Sequence, residues 1–153
     1  MPEAEEIPQR LGRLTDTAIA ADKIAAYRST QYRVGGPEPF TLSIGTKSDA
    51  LLQLYRKTGQ TCGLFITAFN PFGQAQSAEA NQAAPFPLGE DLRALSRHVI
   101  EGAGDPSGDW PPELSYFALG ISEGAARQLG RRFDQDAVVW AGADAVPRLL
   151  LLR

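Results

Sequence analysis

The side chains of this chain that could do chemistry are mostly uncharged hydrogen-bonding groups. The strongest local feature runs from Ile66 to Pro71, where an apolar segment ends in Thr67 and Asn70 before a proline turn. Polar groups just beyond the carboxyl ends of strands are where open α/β folds tend to bind ligands. The alternative is that Asn70 makes an Asx-turn and Thr67 bonds a backbone group, and this window taken alone favours that alternative.

Ser77 and Asn81 follow at helical spacing. Being four residues apart, they share one face of a helix. Ser77 is first of all a good N-cap, and the alternative is a helix N-terminus that receives an anionic or polar ligand. The sequence has neither a G-x-G-x-x-G motif nor a P-loop, so we predict no nucleotide and no cofactor.

Glu113 is the candidate acid or base, since it lies two residues before a predicted strand that begins at Ser115. A carboxyl group at a partly buried edge can transfer protons, although pairing with an arginine such as Arg33 or Arg127 is the more ordinary role. Other carboxylates of the same loop, Asp105 and Asp109, do not match a calcium-binding pattern, and we interpret them as solvated.

The remaining polar candidates are weaker. Gln135 lies between a predicted helix and a predicted strand, where a partly buried amide needs partners. His98 falls on or beside the apolar stripe of a predicted helix and Cys62 lies in an apolar run, so both are interpreted as structural. Neither has an identifiable catalytic partner, and one cysteine with one histidine cannot make a zinc site. We therefore predict no metal.

Composition limits the class of protein. The 153 residues are 43% hydrophobic and 22% charged, typical of one globular domain. The net charge of −3 argues against nucleic-acid binding. The basic cluster of Arg127, Arg131 and Arg132 fits a helix C-terminus instead. No stretch is long and apolar enough to span a membrane, and a single cysteine gives no disulfide. We therefore expect no membrane partner and a cytoplasmic location.

Periodicity predicts a flexible tail over residues 1–17 and a single globular α/β domain over 18–153. We predict helices over 17–26, 48–57, 77–84, 88–99 and 122–133, and strands over 40–44, 62–69, 115–121, 137–141 and 148–152. A loop is expected over 102–112. Strand–helix–strand steps favour parallel pairing. The predicted fold is a mixed, mostly parallel sheet of about five strands, with helices packed on it and a C-terminal antiparallel hairpin.

Several short motifs together resemble a known family. They are Ala26-Tyr27-Arg28, Thr30 to Val34, Ile66 to Pro71, Ser77 with Asn81, Glu113-x-Ser115, and Phe133-x-Gln135-x-Ala137. From about Tyr27 to Trp140 the chain resembles the bacterial domain-of-unknown-function family 3293. That family has no established activity. The resemblance implies a small stand-alone bacterial protein in which Asn70, Asn81, Glu113 and Gln135 belong together.

Three functions follow as hypotheses. The first is a small binding module that holds a polar small molecule or peptide at the end of the 62–69 strand, through Thr67, Asn70, Ser77, Asn81, Glu113 and Gln135. The second is an enzyme that uses Glu113 as acid or base, with Asn70 and the Ser77 helix stabilising negative charge. The third is a regulatory protein–protein interaction domain with an apolar patch formed by Trp110, Phe72, Pro85, Phe86 and Pro87.

Overall fold

The computed structural model describes residues 17–70, 77–83, 85–105 and 113–153. In these ranges the chain forms α1 (Ala21–Ser29), β1 (Gln31–Val34), β2 (Phe40–Leu42), α2 (Asp49–Thr58), β3 (Gly63–Thr67), α3 (Ala78–Ala83), α4 (Pro85–Leu95), β4 (Val99–Asp105), β5 (Glu113–Leu119), α5 (Glu123–Arg132), β6 (Ala137–Ala141) and β7 (Arg148–Leu151). The predicted tail lies outside the described residues apart from Thr17.

The strands form one curled sheet, a half-barrel, in the order β2-β1-β4-β5-β3-β6-β7. Every pair of neighbouring strands is antiparallel. The predicted mostly parallel sheet of about five strands is therefore wrong. Two of the seven strands, β1 and β4, were not predicted. The predicted C-terminal hairpin is confirmed, since β6 pairs with β7.

The error has a topological cause. Each strand–helix–strand step does return the chain in its original direction, but at least one antiparallel strand lies between the two strands that it joins. β3 and β4 stand on either side of β5, and β5 and β6 stand on either side of β3. The pattern along the chain thus predicted strand direction correctly and strand neighbours incorrectly.

The boundaries of α2 and α5 follow the capping residues, as predicted. Helix α1, predicted over 17–26, instead begins at Ala21 and has no side-chain cap. The Ser48 hydroxyl accepts a hydrogen bond from the Leu51 amide at 3.1 Å, and Gly59 ends α2 with φ of 75°. In α5, the Ser122 hydroxyl accepts from the Ala125 amide at 3.2 Å. These side chains and the glycine satisfy or relieve backbone groups that a helix end leaves unpaired.

The core has two parts, one on each face of the sheet. On one face, α4 and α5 pack against Leu64 and Ile66 of β3. On the other, α2 packs against Phe65 of β3 and Phe117 of β5. Successive residues of a strand point to opposite faces, so β3 contributes to both parts. The prediction that this apolar segment is an interior strand is confirmed.

A substitution at Gly102 can test how closely β4 packs against β1. A Cβ atom at this position would lie 2.2 Å from the Arg33 carbonyl oxygen, whereas one at Gly104 would meet only Thr30 Cγ2, at 3.9 Å. We expect Gly102→Ala to lower the free energy of unfolding by about 1–3 kcal/mol, as overpacking does. Gly104→Ala, the control two residues along the same strand, should change it by less than about 1 kcal/mol. Equal effects in urea denaturation would contradict this account of β4.

Candidate functional site

A row of cross-strand neighbours begins the site. Gly104 of β4 is paired with Tyr32 of β1 on one side and with Glu113 of β5 on the other. Directly paired residues of antiparallel strands point to the same face, so this row carries two side chains with a glycine between them. The missing side chain leaves space between Tyr32 and Glu113.

The floor of the site continues along the same face. Thr67 pairs with Ser115, Phe65 pairs with Val139, and Val139 pairs with Leu149. Because side chains alternate with a period of two, residues 65 and 67 of β3 share a face, as do residues 113 and 115 of β5. Six of the strands therefore contribute to one continuous surface.

Helix α1 covers one side of this surface, and the open cavity between them has a volume of about 270 Å³. Lys23, Ala26 and Tyr27 are the residues of α1 that line it. The Tyr27 hydroxyl donates a hydrogen bond to Asp136 Oδ2 at 2.8 Å, and the Tyr32 hydroxyl donates to the Tyr27 carbonyl at 2.5 Å. These two bonds attach the helix to β6 and to β1.

Asp136 is a buried carboxylate, with only 2% of its surface exposed. Besides the bond from Tyr27, it accepts one from Arg153 Nε at 2.6 Å. A buried charge is tolerated when it is paired and hydrogen-bonded, and Asp136 meets both conditions. It was not among the residues that the sequence predicted for the site, although an acid directly between Gln135 and an apolar strand was a usable signal.

Burial raises the pKa of both tyrosines well above the ordinary value of 10.0. For Tyr27 the hydrogen bond to Asp136 and the negative charges of Asp136 and Glu113 raise the pKa further. For Tyr32 the charge of Glu113 adds to burial, against a lowering contribution from Thr30. Both hydroxyls therefore remain protonated at physiological pH. Neither tyrosine was among the six predicted site residues.

Of the six predicted site residues, Thr67, Asn70, Glu113 and Gln135 line the cavity. The Asn70 side-chain amide donates to Glu113 Oε2 at 2.6 Å. Asn70 in turn forms a reciprocal pair with Asn81: Asn81 Nδ2 donates to Asn70 Oδ1, and the Asn70 backbone N–H donates to Asn81 Oδ1, both at 3.2 Å. This chain of bonds orients the Glu113 carboxylate at the edge of the cavity.

Thr67 and Gln135 also bond the backbone around them. The Thr67 hydroxyl donates to the Leu114 carbonyl at 2.7 Å and accepts from the Phe69 amide at 3.0 Å. Gln135 Nε2 donates to the carbonyl oxygens of Phe69 and Phe133, at 3.1 and 3.2 Å. The backbone-bonding role considered for Thr67 is thus confirmed, and both side chains position the chain segment that follows β3.

Asn81 and Ser77 do not line the cavity. Asn81 reaches the site through Asn70. The Ser77 hydroxyl accepts from the Ala80 amide at 3.1 Å, which confirms its role as an N-cap of α3. Neither arginine considered for Glu113 forms a described ion pair with it. Arg33 pairs with Asp105 and Arg127 pairs with Glu123.

His98 and Cys62, which the sequence analysis interpreted as structural, do not line the cavity. His98 was predicted to lie on a helix, and this prediction is wrong. The residue follows the end of α4 and immediately precedes β4. Cys62 precedes β3 and is half-buried, and its thiol donates to the Ile121 carbonyl at 3.2 Å. Burial raises the pKa of this thiol, which keeps it from being a strong nucleophile. Phe72, Asp109 and Trp110 lie outside the described residues.

The described residues contain neither a metal-binding cluster nor a membrane-spanning helix. They contain no group of three or more histidine, cysteine, aspartate or glutamate side chains placed to hold a metal ion. Within the same residues, no helix has both the length and the apolarity needed to cross a membrane. A second depression, of about 640 Å³, lies beside α2 and is lined by Glu38, Phe40 and Lys57 among others. It contains none of the predicted site residues.

The fold and the cavity define a small α/β protein with an all-antiparallel half-barrel sheet and a polar-edged cavity beside α1. A family model described as "Protein of unknown function (DUF3293)" matches residues 66–138. This match supports the family assignment that the sequence motifs predicted. No curated protein and no solved structure shows significant similarity to the chain.

Asn70 allows the hydrogen bonds of the site to be measured separately from its backbone conformation. Its φ of 50° is in the left-handed region. We expect Asn70→Ala to be less stable than Asn70→Gly by about 1 kcal/mol, because glycine adopts this conformation without the Cβ penalty. Both variants lose the bond to Glu113, so Asn70→Gly should itself be less stable than the wild type by about 1.5–3 kcal/mol.

The reciprocal hydrogen bonds between Asn70 and Asn81 can be tested by urea denaturation. The measurement compares Asn70→Gly, Asn81→Ala and the double variant. Residues of one hydrogen-bond network give non-additive losses. Additive losses would contradict the reciprocal pair.

The raised tyrosine pKa values predict instability in alkali. Tyr27, Tyr32 and Tyr55 all have a pKa above 10.0 in the folded chain, so the unfolded chain releases these protons first. Their contribution to stability is complete below about pH 10 and declines as the pH rises above it. We expect Tyr27→Phe to show a shallower decline than the wild type in chemical denaturation between about pH 9 and pH 11. An identical slope would contradict the burial of the Tyr27 hydroxyl.

Proposed function

We propose that this protein is a binding module that takes a small organic molecule in the cavity closed by α1. The observation that carries the proposal is the composition of this cavity. Several aromatic and aliphatic side chains line it, together with Glu113, Asn70 and Gln135. Ligand sites have this composition: a mainly apolar lining with a few placed polar groups.

The size of the cavity limits the ligand. Its volume of about 270 Å³ is slightly below the range of roughly 300–1,000 Å³ typical of sites for drug-sized molecules. A compact metabolite fits this space better than a peptide. Within the alternatives drawn from the sequence, the volume therefore favours a small molecule.

The enzyme hypothesis has less support than binding. It placed Asn70 and the Ser77 helix where negative charge would develop on a substrate. Instead, Asn70 donates to Glu113 itself, and Ser77 caps α3 without lining the cavity. Donors that stabilise a developing anion must point to the position of that anion.

The interaction hypothesis also has less support. Of the residues described from its patch, Phe86 is 69% exposed and Pro87 is exposed, but Pro85 is buried. One exposed aromatic ring with an exposed proline beside it does not by itself indicate a partner.

Two adjacent alanines of α1 provide a matched test. Ala25 and Ala26 are both exposed, but only Ala26 lines the cavity. We expect a library of small metabolites to contain compounds that raise the melting temperature of the wild type. The rise should be roughly 5–10 °C when the compound is present at about one hundred times its Kd. Ala26→Trp, which places a large ring at the cavity, should abolish these shifts, and Ala25→Trp should preserve them.

Two results would contradict a binding role for this cavity. One is that Ala26→Trp and Ala25→Trp bind the same compounds equally well. The other is that no compound in a broad library stabilises the wild type.

A further inference from the structure

We infer that Gly104 determines which ligands the cavity accepts, and that the ligand carries a planar aromatic ring packed against this glycine. This inference rests on the proposed binding function and adds the shape and chemical class of the ligand. Its basis is a difference between two glycines of β4: a protein ring fills the space above one of them, and the space above the other is open.

The two glycines face the same side of the sheet. Gly102 and Gly104 are two residues apart in β4, and side chains alternate with a period of two. Gly102 is paired with Ser115 and Gly104 with Glu113, and both of these partners line the cavity. Each glycine therefore leaves a gap in a row of side chains on the face that carries the cavity.

An aromatic ring of the protein fills the gap above Gly102. A Cβ atom at this position would lie 3.3 Å from Cε2 of Phe65. Phe65 belongs to β3, so its ring reaches the gap across β5. The ring of Tyr32 packs edge to face against that of Phe65, with the centroids 5.2 Å apart. The sheet thus already contains one glycine gap that an aromatic ring occupies.

The gap above Gly104 is open. Apart from its chain neighbours, the only described atom within 4 Å of a Cβ atom at Gly104 would be Thr30 Cγ2, at 3.9 Å. The Thr30 hydroxyl donates to the Ala26 carbonyl at 2.7 Å, so a methyl group is the part of Thr30 nearest the gap. Gly104 lines the cavity but is itself buried from solvent. The gap is therefore interior space that suits an apolar group.

The width of the gap favours a planar group. Tyr32 of β1 and Glu113 of β5 flank Gly104, and β4 is the single strand between them. Neighbouring strands are roughly 4.8 Å apart, so the flanking backbones are separated by about 10 Å. The two flanking side chains occupy part of that distance, and a planar ring needs less of the remainder than a saturated ring. A ligand ring placed there replaces the missing cross-strand neighbour of Tyr32, and aromatic cross-strand pairs are stabilising.

Two probes with the same hydroxyl group and equal numbers of heavy atoms compare a planar ring with a saturated one: benzyl alcohol and cyclohexylmethanol. Binding is measured at pH 7 by ¹⁵N–¹H NMR titration, which detects weak ligands and locates them by the amides that shift. We expect benzyl alcohol to bind at least about threefold more tightly, although the saturated alcohol is the more hydrophobic of the two. The amides of Tyr32 and Gly104 should shift.

Gly104→Ala adds one methyl group in the gap, where the protein itself has room for it. The variant should weaken benzyl alcohol binding at least about tenfold, because the methyl group and the ring cannot occupy the same space. Gly124→Ala is the matched control. It adds a methyl group to α5, outside the cavity lining and in open space, and should leave the affinity unchanged.

Cyclohexylmethanol binding as tight as that of benzyl alcohol, at the same amides, overturns the inference while leaving the cavity a ligand site. Equal benzyl alcohol binding by Gly104→Ala and the wild type also overturns it. If neither alcohol shifts an amide of the cavity lining, the inference fails, and the proposed function is judged separately by the comparison of Ala26→Trp with Ala25→Trp.

Discussion

The hydrogen bond from Asn70 to Glu113 connects the segment after β3 to the first residue of β5, and the site depends on it. At 2.6 Å to a carboxylate, it belongs to a class worth about 1.5–3 kcal/mol. The left-handed backbone of Asn70 costs about 1 kcal/mol. The bond therefore outweighs the conformation that it requires. Asn81 adds α3 to the same network, so one amide positions parts of three elements around the cavity.

Helix α1 is attached in a different way. Ile24 is its buried apolar residue, and few of its other side chains are in the core. Its position depends on polar bonds, chiefly that of Tyr27 to Asp136. Because Asp136 also pairs with Arg153, a residue near each end of the chain contributes to closing the cavity. A buried carboxylate that lost either partner would be costly, so the two contacts maintain each other.

The sequence predicted the elements whose evidence is local. Capping residues predicted the ends of α2 and α5, and an unbroken apolar run predicted β3. It did not predict β4, because Gly102, Gly104 and Asp105 are typical of a loop. These glycines have physical roles in the strand: Gly102 allows the close approach of Arg33, and Gly104 leaves the space that becomes the cavity. The residues that obscured the strand are those that the sheet and the site require.

The site residues were brought together by a topology other than the predicted one. In a parallel sheet, polar residues converge because the carboxyl ends of strands share one edge. In this antiparallel sheet, the end of one strand lies beside the start of the next. Thr67 ends β3, whereas Glu113 begins β5 and Gln135 shortly precedes β6. Strand ends and strand starts thus meet at the same edge, and residues separated by more than sixty positions come to line one cavity. Strand neighbours are set by non-local pairing, which local periodicity does not encode. The grouping of these residues was therefore predictable from motifs, and its geometric origin was not.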